Sequence, residues 1–303
     1  MSATFWDNFD HLLSEAETAF VNGDIDGAAE KWNAYFKITA LSEWQEIAEE
    51  AKKIWIENRA RQIASLDDLY TLWEKIRRLE IDNKISRYCR NLFIRYITNT
   101  YKERFAEAAG SSEKGKIGVF EYLCGNYSEA SALLKENLQK NVADVSSRIY
   151  LGWCYLEQKD QKSAIAVLTQ NLFLAADELT EDDMYLSQFK MLYGKLHSQR
   201  ANHQEAAWLL TFESWYRNWL FLEEDESFYQ LMRQKEIDER IFQVKYYLHE
   251  RYRHFARCLF IAEYNRQFNK KNQGPILEQE NYMQRLDPQL FEKYRKKRKA
   301  LNN

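Results

Sequence analysis

The sequence predicts an all-α chain built from stacked antiparallel helix hairpins. Three observations lead there. The 303 residues contain only 2 prolines, both beyond residue 274, so nothing interrupts long helices over most of the chain. Apolar residues make up 45% of the composition and recur at helical spacing, which is enough side-chain volume for a core. A short pattern also recurs four times: a turn residue, then Asp or Asn, then an Ala four positions later. It reads Gly23-Asp24 to Ala28, Gly125-Asn126 to Ala130, Lys159-Asp160 to Ala164 and Ala201-Asn202 to Ala206. Twelve residues before each Ala stands Ala16, Gly118, Gly152 or Gly194, and four after it Trp32, Leu134, Leu168 or Leu210. The small residues permit close approach of two helices, and the turn needs positive φ followed by a helix N-cap.

Taken in order, the first hairpin pairs about Phe5 to Val21 with about Ile25 to Thr39 through Asn22-Gly23-Asp24. Ser42 with Gln45 reads as a capping box opening a helix to about Ile63. Between Ser65 and Ala109, one stripe comprises Leu69, Leu72, Trp73, Ile76 and Leu79. A second comprises Ile85, Cys89, Leu92, Phe93, Tyr96 and Ile97. Gly110-Ser111-Ser112 breaks the pattern and opens a regular array. After about Asn218 come long aromatic, charged helices, about Asp225 to Gln234 and Asp238 to Phe268. Gln273-Gly274-Pro275 then stops the helix, and Asp287-Pro288 starts another. Three parts follow: 1–110 with one hairpin and degenerate helices, 111–220 with three repeats, and 221–303 as a polar-faced C-terminal cap with a basic tail.

Ala130 to Ala164, Gly118 to Gly152, Leu134 to Leu168 and Asn137 to Asn171 are each 34 residues apart, the tetratricopeptide period. On these residues the chain resembles the tetratricopeptide-repeat family over about 6–40 and 112–218. It departs from the family in three ways. Leu12, Lys114, Arg148 and Lys190 replace the Trp usual early in the first helix, the usual terminal proline is absent, and about eight extra residues around Ala175 to Asp183 lengthen one connection. The resemblance implies a right-handed superhelix with a concave groove lined by the first helices. The implied groove set is Gly115, Val119, Tyr122 and Leu123, then Ile149, Trp153, Leu156 and Glu157, then Met191, Lys195, Ser198 and Gln199. Its apolar part suits an apolar or amphipathic peptide, with Trp153 and Tyr122 as anchors, unless the chain's own helices fill it. Family members that grip chaperone C-terminal carboxylates use Lys, Asn and Arg where this chain has Gly115, Val119, Tyr150, Gln188 and Leu192, so that clamp is not expected.

Nothing in the sequence signals catalysis or a cofactor. The 9 glycines stand singly, without a phosphate-binding loop. His249 and His254 are five apart, which rotates them away from each other on a helix and argues against a shared metal. Adjacent carboxylates such as Asp67-Asp68 sit at helix starts, where they complement the dipole. Cys89, Cys124, Cys154 and Cys258 read as reduced thiols. With no targeting or membrane-spanning stretch evident, a cytoplasmic protein is expected.

The net charge of −3 is uneven. Residues 1–50 carry eleven acidic and two basic side chains, whereas 270–303 carry nine basic and four acidic ones, ending in the Lys293 to Lys299 run. That run is either a solvated helix end or an electrostatic tag. The expected function is a non-enzymatic scaffold, adaptor or chaperone-like assembly factor binding a protein segment, with self-association possible through the long C-terminal helices. The alternative is nucleic-acid binding. It rests on Arg87, Arg90, Arg95, Lys102 and Arg104 among Tyr88, Phe93, Tyr96 and Tyr101, and on Lys245, Tyr246, Tyr247, Arg251, Tyr252, Arg253, Phe255 and Arg257.

Overall fold

The computed structural model describes residues 7–58, 60, 63–79, 83–106, 113–200, 202–234, 248–270 and 273–302. Among them every regular element is helical: α1 Asp7–Val21, α2 Ile25–Thr39, α3 Glu43–Glu57, α4 Leu66–Arg77, α5 Lys84–Arg104, α6 Lys114–Leu123, α7 Tyr127–Lys140, α8 Val145–Glu157, α9 Gln161–Ala175, α10 Ser187–Ser198, α11 His203–Tyr216, α12 Glu226–Gln234, α13 Leu248–Phe268, α14 Gly274–Leu286 and α15 Pro288–Asn302. A 3-10 turn, Ala176–Glu178, follows α9. The chain forms two compact units, Met1–Asn126 and Tyr127–Asn303.

The recurrent pattern maps onto the helix turns. Gly23, Gly125 and Lys159 adopt φ of 83°, 86° and 62°. Asp24 then accepts the Gly27 amide, Asp160 the Ser163 amide and Asn202 the Gln204 amide, each capping its helix. Ala201 lies outside the described residues. Ala28, Ala130, Ala164 and Ala206 are fully buried, as are Trp32, Leu134, Leu168 and Leu210. The small residue of the fourth copy behaves differently. Gly194 faces open space, so no close helix contact depends on it.

In the first unit, α1 packs on α2 and α5, α2 on α3, and α3 and α4 on α5. Phe20 is the hub, with ring centroids 5.0 Å from Phe93 and 5.4 Å from Trp55. Both predicted apolar stripes face this core, with Leu69, Leu72, Trp73, Ile76, Cys89, Leu92, Phe93, Tyr96 and Ile97 all buried. The expected Ser42 capping box does not form. Ser42 has helical dihedrals and makes no side-chain cap bond, and α3 ends at Glu57 instead of near Ile63. The box appears at Ser65 instead, where the side chain accepts the Asp68 amide and the Asp68 carboxylate accepts the Ser65 amide.

In the second unit, α7 packs on α8, α8 on α9, and α10 on α11. The C-terminal helices pack into the core of this unit, and α14 and α15 keep polar side chains on their exposed faces. α13 packs on α9 and α11, with Phe260 5.3 Å from Phe173 and Phe255 5.6 Å from Phe212 between ring centroids. Residues Phe255 to Asn265 are buried without a break. One core runs from α9 through α15, so residue 220 marks no break. The physical reason is composition: α9 and α11 are apolar or aromatic around most of their circumference, and α13 is so over its central stretch, Phe255 to Tyr264, apart from Arg257 and Glu263.

Candidate functional site

α8 is held at its start by a polar cluster. Asp144 caps it through the Ser147 amide at 3.0 Å, and Asn137 of α7 donates to Asp144 Oδ2 at 2.7 Å and to Ser147 Oγ at 2.9 Å. One turn further on stands Gly152, whose missing side chain admits Tyr185 from the lengthened connection. A Cβ at residue 152 would lie 2.1 Å from the Tyr185 hydroxyl. That hydroxyl donates to the Ala164 carbonyl at 2.8 Å. The small pair Gly152 and Ala164 therefore forms a notch filled by a tyrosine, where the sequence suggested direct helix-to-helix contact. The sequence pattern does not reveal Tyr185, which stands just after the added residues and before α10, at no position of the repeated pattern.

Trp153 packs beside this tyrosine, with centroids 5.3 Å apart and planes at 60°, and remains half-buried. Leu156 is also half-buried, while Met191 on α10 is 76% exposed and Lys195 is exposed. Ile149 differs: it is 3% exposed and belongs to the core, so its side chain is no free contact surface. In the first unit, on α6, Val119 is likewise buried at 1%, whereas Tyr122 and Leu123 are half-buried.

Many of the residues that suggested nucleic acid are occupied within the fold, while Arg87 and Lys102 stay exposed. Phe93, Tyr96 and Tyr101 are buried. Tyr88 and Arg95 both bond the Glu17 carboxylate, and Arg104 donates to the Ile63 carbonyl at 2.9 Å. On α13, Tyr252 and Phe255 are buried, and Arg257 donates to the Met232 carbonyl at 2.6 Å. Lys245, Tyr246 and Tyr247 lie outside the described residues. In the basic run, Tyr294 is buried, Lys293 pairs with Glu213 at 3.5 Å, Lys297 donates to the Trp215 carbonyl, and Arg298 pairs with Glu263 at 3.2 Å.

Burial pushes the thiols of Cys89, Cys154 and Cys258 up to about 12, so they stay protonated and weakly nucleophilic near neutral pH. Among the described residues, no group of three or more His, Cys, Asp or Glu side chains is placed to hold a metal ion, and no helix is long and apolar enough to cross a membrane. No protein-family model, curated protein or solved structure matches the chain.

Proposed function

We propose that the chain is a tetratricopeptide-like, non-enzymatic interaction scaffold that takes an apolar or amphipathic segment of a partner protein along α8, the Tyr185 connection and α10. One observation carries this reading: the Trp153–Tyr185 pair is held half-buried over the Gly152 notch, and Met191 stands 76% exposed on the helix that follows. A positioned aromatic pair offers contact area at low entropic cost, and an exposed methionine adapts to varied apolar partners. Lys190, Lys195 and the polar residues Ser187, Gln188 and Ser198 flank Met191 along α10, so the exposed methionine stands among polar neighbours in sequence. The fully buried Ala and Leu or Trp positions of the repeated pattern support the family part of the reading.

The test is affinity capture with wild type, Met191→Glu and Trp153→Ala side by side, with circular dichroism as the folding control. Met191→Glu is the cleaner variant because the side chain is largely in water. A partner retained by wild type at moderate salt and lost by Met191→Glu supports the reading. Equal capture by all three proteins overturns it. Nucleic acid recovered only at low salt, equally by all three, replaces it with the phosphate-binding alternative.

A further inference from the structure

Arg148 is only 2% exposed. It occupies an early position in α8 where the family pattern would place tryptophan. Its guanidinium is held on three sides: Nε donates to Gln170 Oε1 at 3.1 Å, the group lies 5.0 Å from the centroid of the Phe228 ring, and Asp225 and Asp144 attract it through space. Nη1 is buried without a hydrogen-bond partner among the described residues. Asp225 and Asp144 offset its charge, but a buried N–H donor left without an acceptor remains costly. Arg148 also lines a cleft of about 310 Å³ between α7, α8, α9 and the segment leading into α12. That volume is at the small end of the range for small-molecule sites.

The rest of the lining narrows the chemistry. Lys135, 5.0 Å from the Tyr155 ring centroid, adds a second cation. Opposite in sign are Asp225 and Glu223. Gln170 joins the two charge types, since its Nε2 donates to Asp225 Oδ2 at 3.1 Å while its Oε1 accepts from Arg148. Leu138, Val142, Leu151 and Val167 supply an apolar wall. A dianionic phosphate would face two carboxylates here, and a purely apolar ligand would leave Arg148 unanswered. A ligand carrying a carboxylate and an ammonium on one small frame, with an apolar side chain, answers every part of the lining.

We propose that this cleft binds a free α-amino acid with an apolar side chain, its carboxylate toward Arg148 and its ammonium toward Asp225 and Glu223. The test is titration calorimetry on the full chain with L-leucine, L-leucinamide and N-acetyl-L-leucine, and with inorganic phosphate. The expected result is saturable leucine binding, weakened at least about tenfold when either charge is removed, because each charge-assisted hydrogen bond lost leaves a partner unpaired. Arg148→Met should abolish binding. Should that variant fail to fold, Gln139→Trp, placed at the exposed rim of the cleft, blocks entry without touching the charged groups and should abolish binding as well. No heat from leucine, equal binding of leucinamide, or equal binding of N-acetyl-leucine or phosphate each overturns the proposal.

Discussion

Asn137 and Asn171 are identical residues 34 positions apart, and their surroundings decide opposite energetics. Asn137 bonds Asp144 and Ser147, the cap of the next helix, and accepts from Asn141 at 2.9 Å. The corresponding positions for Asn171 are Glu178 and Glu181, but the lengthened connection places a 3-10 turn there and delays the next helix to Ser187. Asn171 is left fully buried, with both its amide nitrogen and its oxygen unpartnered among the described residues. Replacing a satisfied buried amide strands its partners, whereas replacing an unsatisfied one removes a desolvation cost. Asn137→Leu is therefore expected to cost about 1–3 kcal/mol, and Asn171→Leu to be neutral or stabilising. Urea midpoints for both variants check this, and equal destabilisation by the two would contradict it.

At the scale of elements, the notch that fixes α8 against the lengthened connection is a three-residue unit of Gly152, Ala164 and Tyr185. Any side chain at residue 152 collides with a tyrosine ring that is itself anchored by the Ala164 carbonyl. Gly152→Ala is expected to destabilise by about 1–3 kcal/mol through overpacking. In a Tyr185→Ala background the same substitution should cost clearly less, since the clash is gone; such non-additivity is the signature of direct contact. Additive losses in a double-mutant cycle would mean that Gly152 acts through another neighbour. The repeat frame made the hairpins legible in the sequence because turn chemistry and small residues are local signals: α2 was predicted to the residue, and the turn φ angles follow from Gly23, Gly125 and Lys159. Tyr185 was illegible because it lies in the connection before α10, where the pattern assigns no position. The packing role of α13 was illegible for a different reason. A helix buried on all sides over its central stretch has no polar face there to reveal its orientation, so its Arg and Tyr residues looked like a surface. Of the residues expected in the groove, Tyr122, Leu123, Trp153, Leu156, Met191 and Lys195 keep exposure that Val119 and Ile149 lack.

At the scale of the whole chain, the uneven charge resolves into pairs made within each unit. In the first, Glu15 pairs with Lys31, Glu17 with Arg95 and Asp26 with Lys52. In the second, the basic run serves the core, since Leu290, Phe291 and Tyr294 are buried and Arg298 and Lys297 surround the buried Glu263. Part of the acidic start and part of the basic end are thereby paired within the fold. Exposed Lys296 and Lys299 remain on the surface, so replacing both with Ala should leave stability within about 0.5 kcal/mol. Lys297 is different. It lies 3.9 Å over the Trp215 ring and donates to the Trp215 carbonyl, yet burial outweighs these contacts and the nearby Glu263, pulling its amine down to about 8 from 10.5. A lysine whose folded value is depressed contributes stability at pH above its unfolded value, and that contribution is lost as pH falls through the folded value. Glu263, raised by its own burial, works in the opposite sense, its contribution fading as pH rises through its raised value. The two effects therefore separate by pH window, one in the alkaline range and one in the acid range. Wild type compared with Lys297→Met isolates the first. The stability difference should move in favour of the methionine variant as pH is lowered from about 10.5 to 8, then level off below 8. Urea midpoints of both proteins across that range would read it directly, and parallel curves throughout would show that Lys297 keeps its ordinary titration on α15.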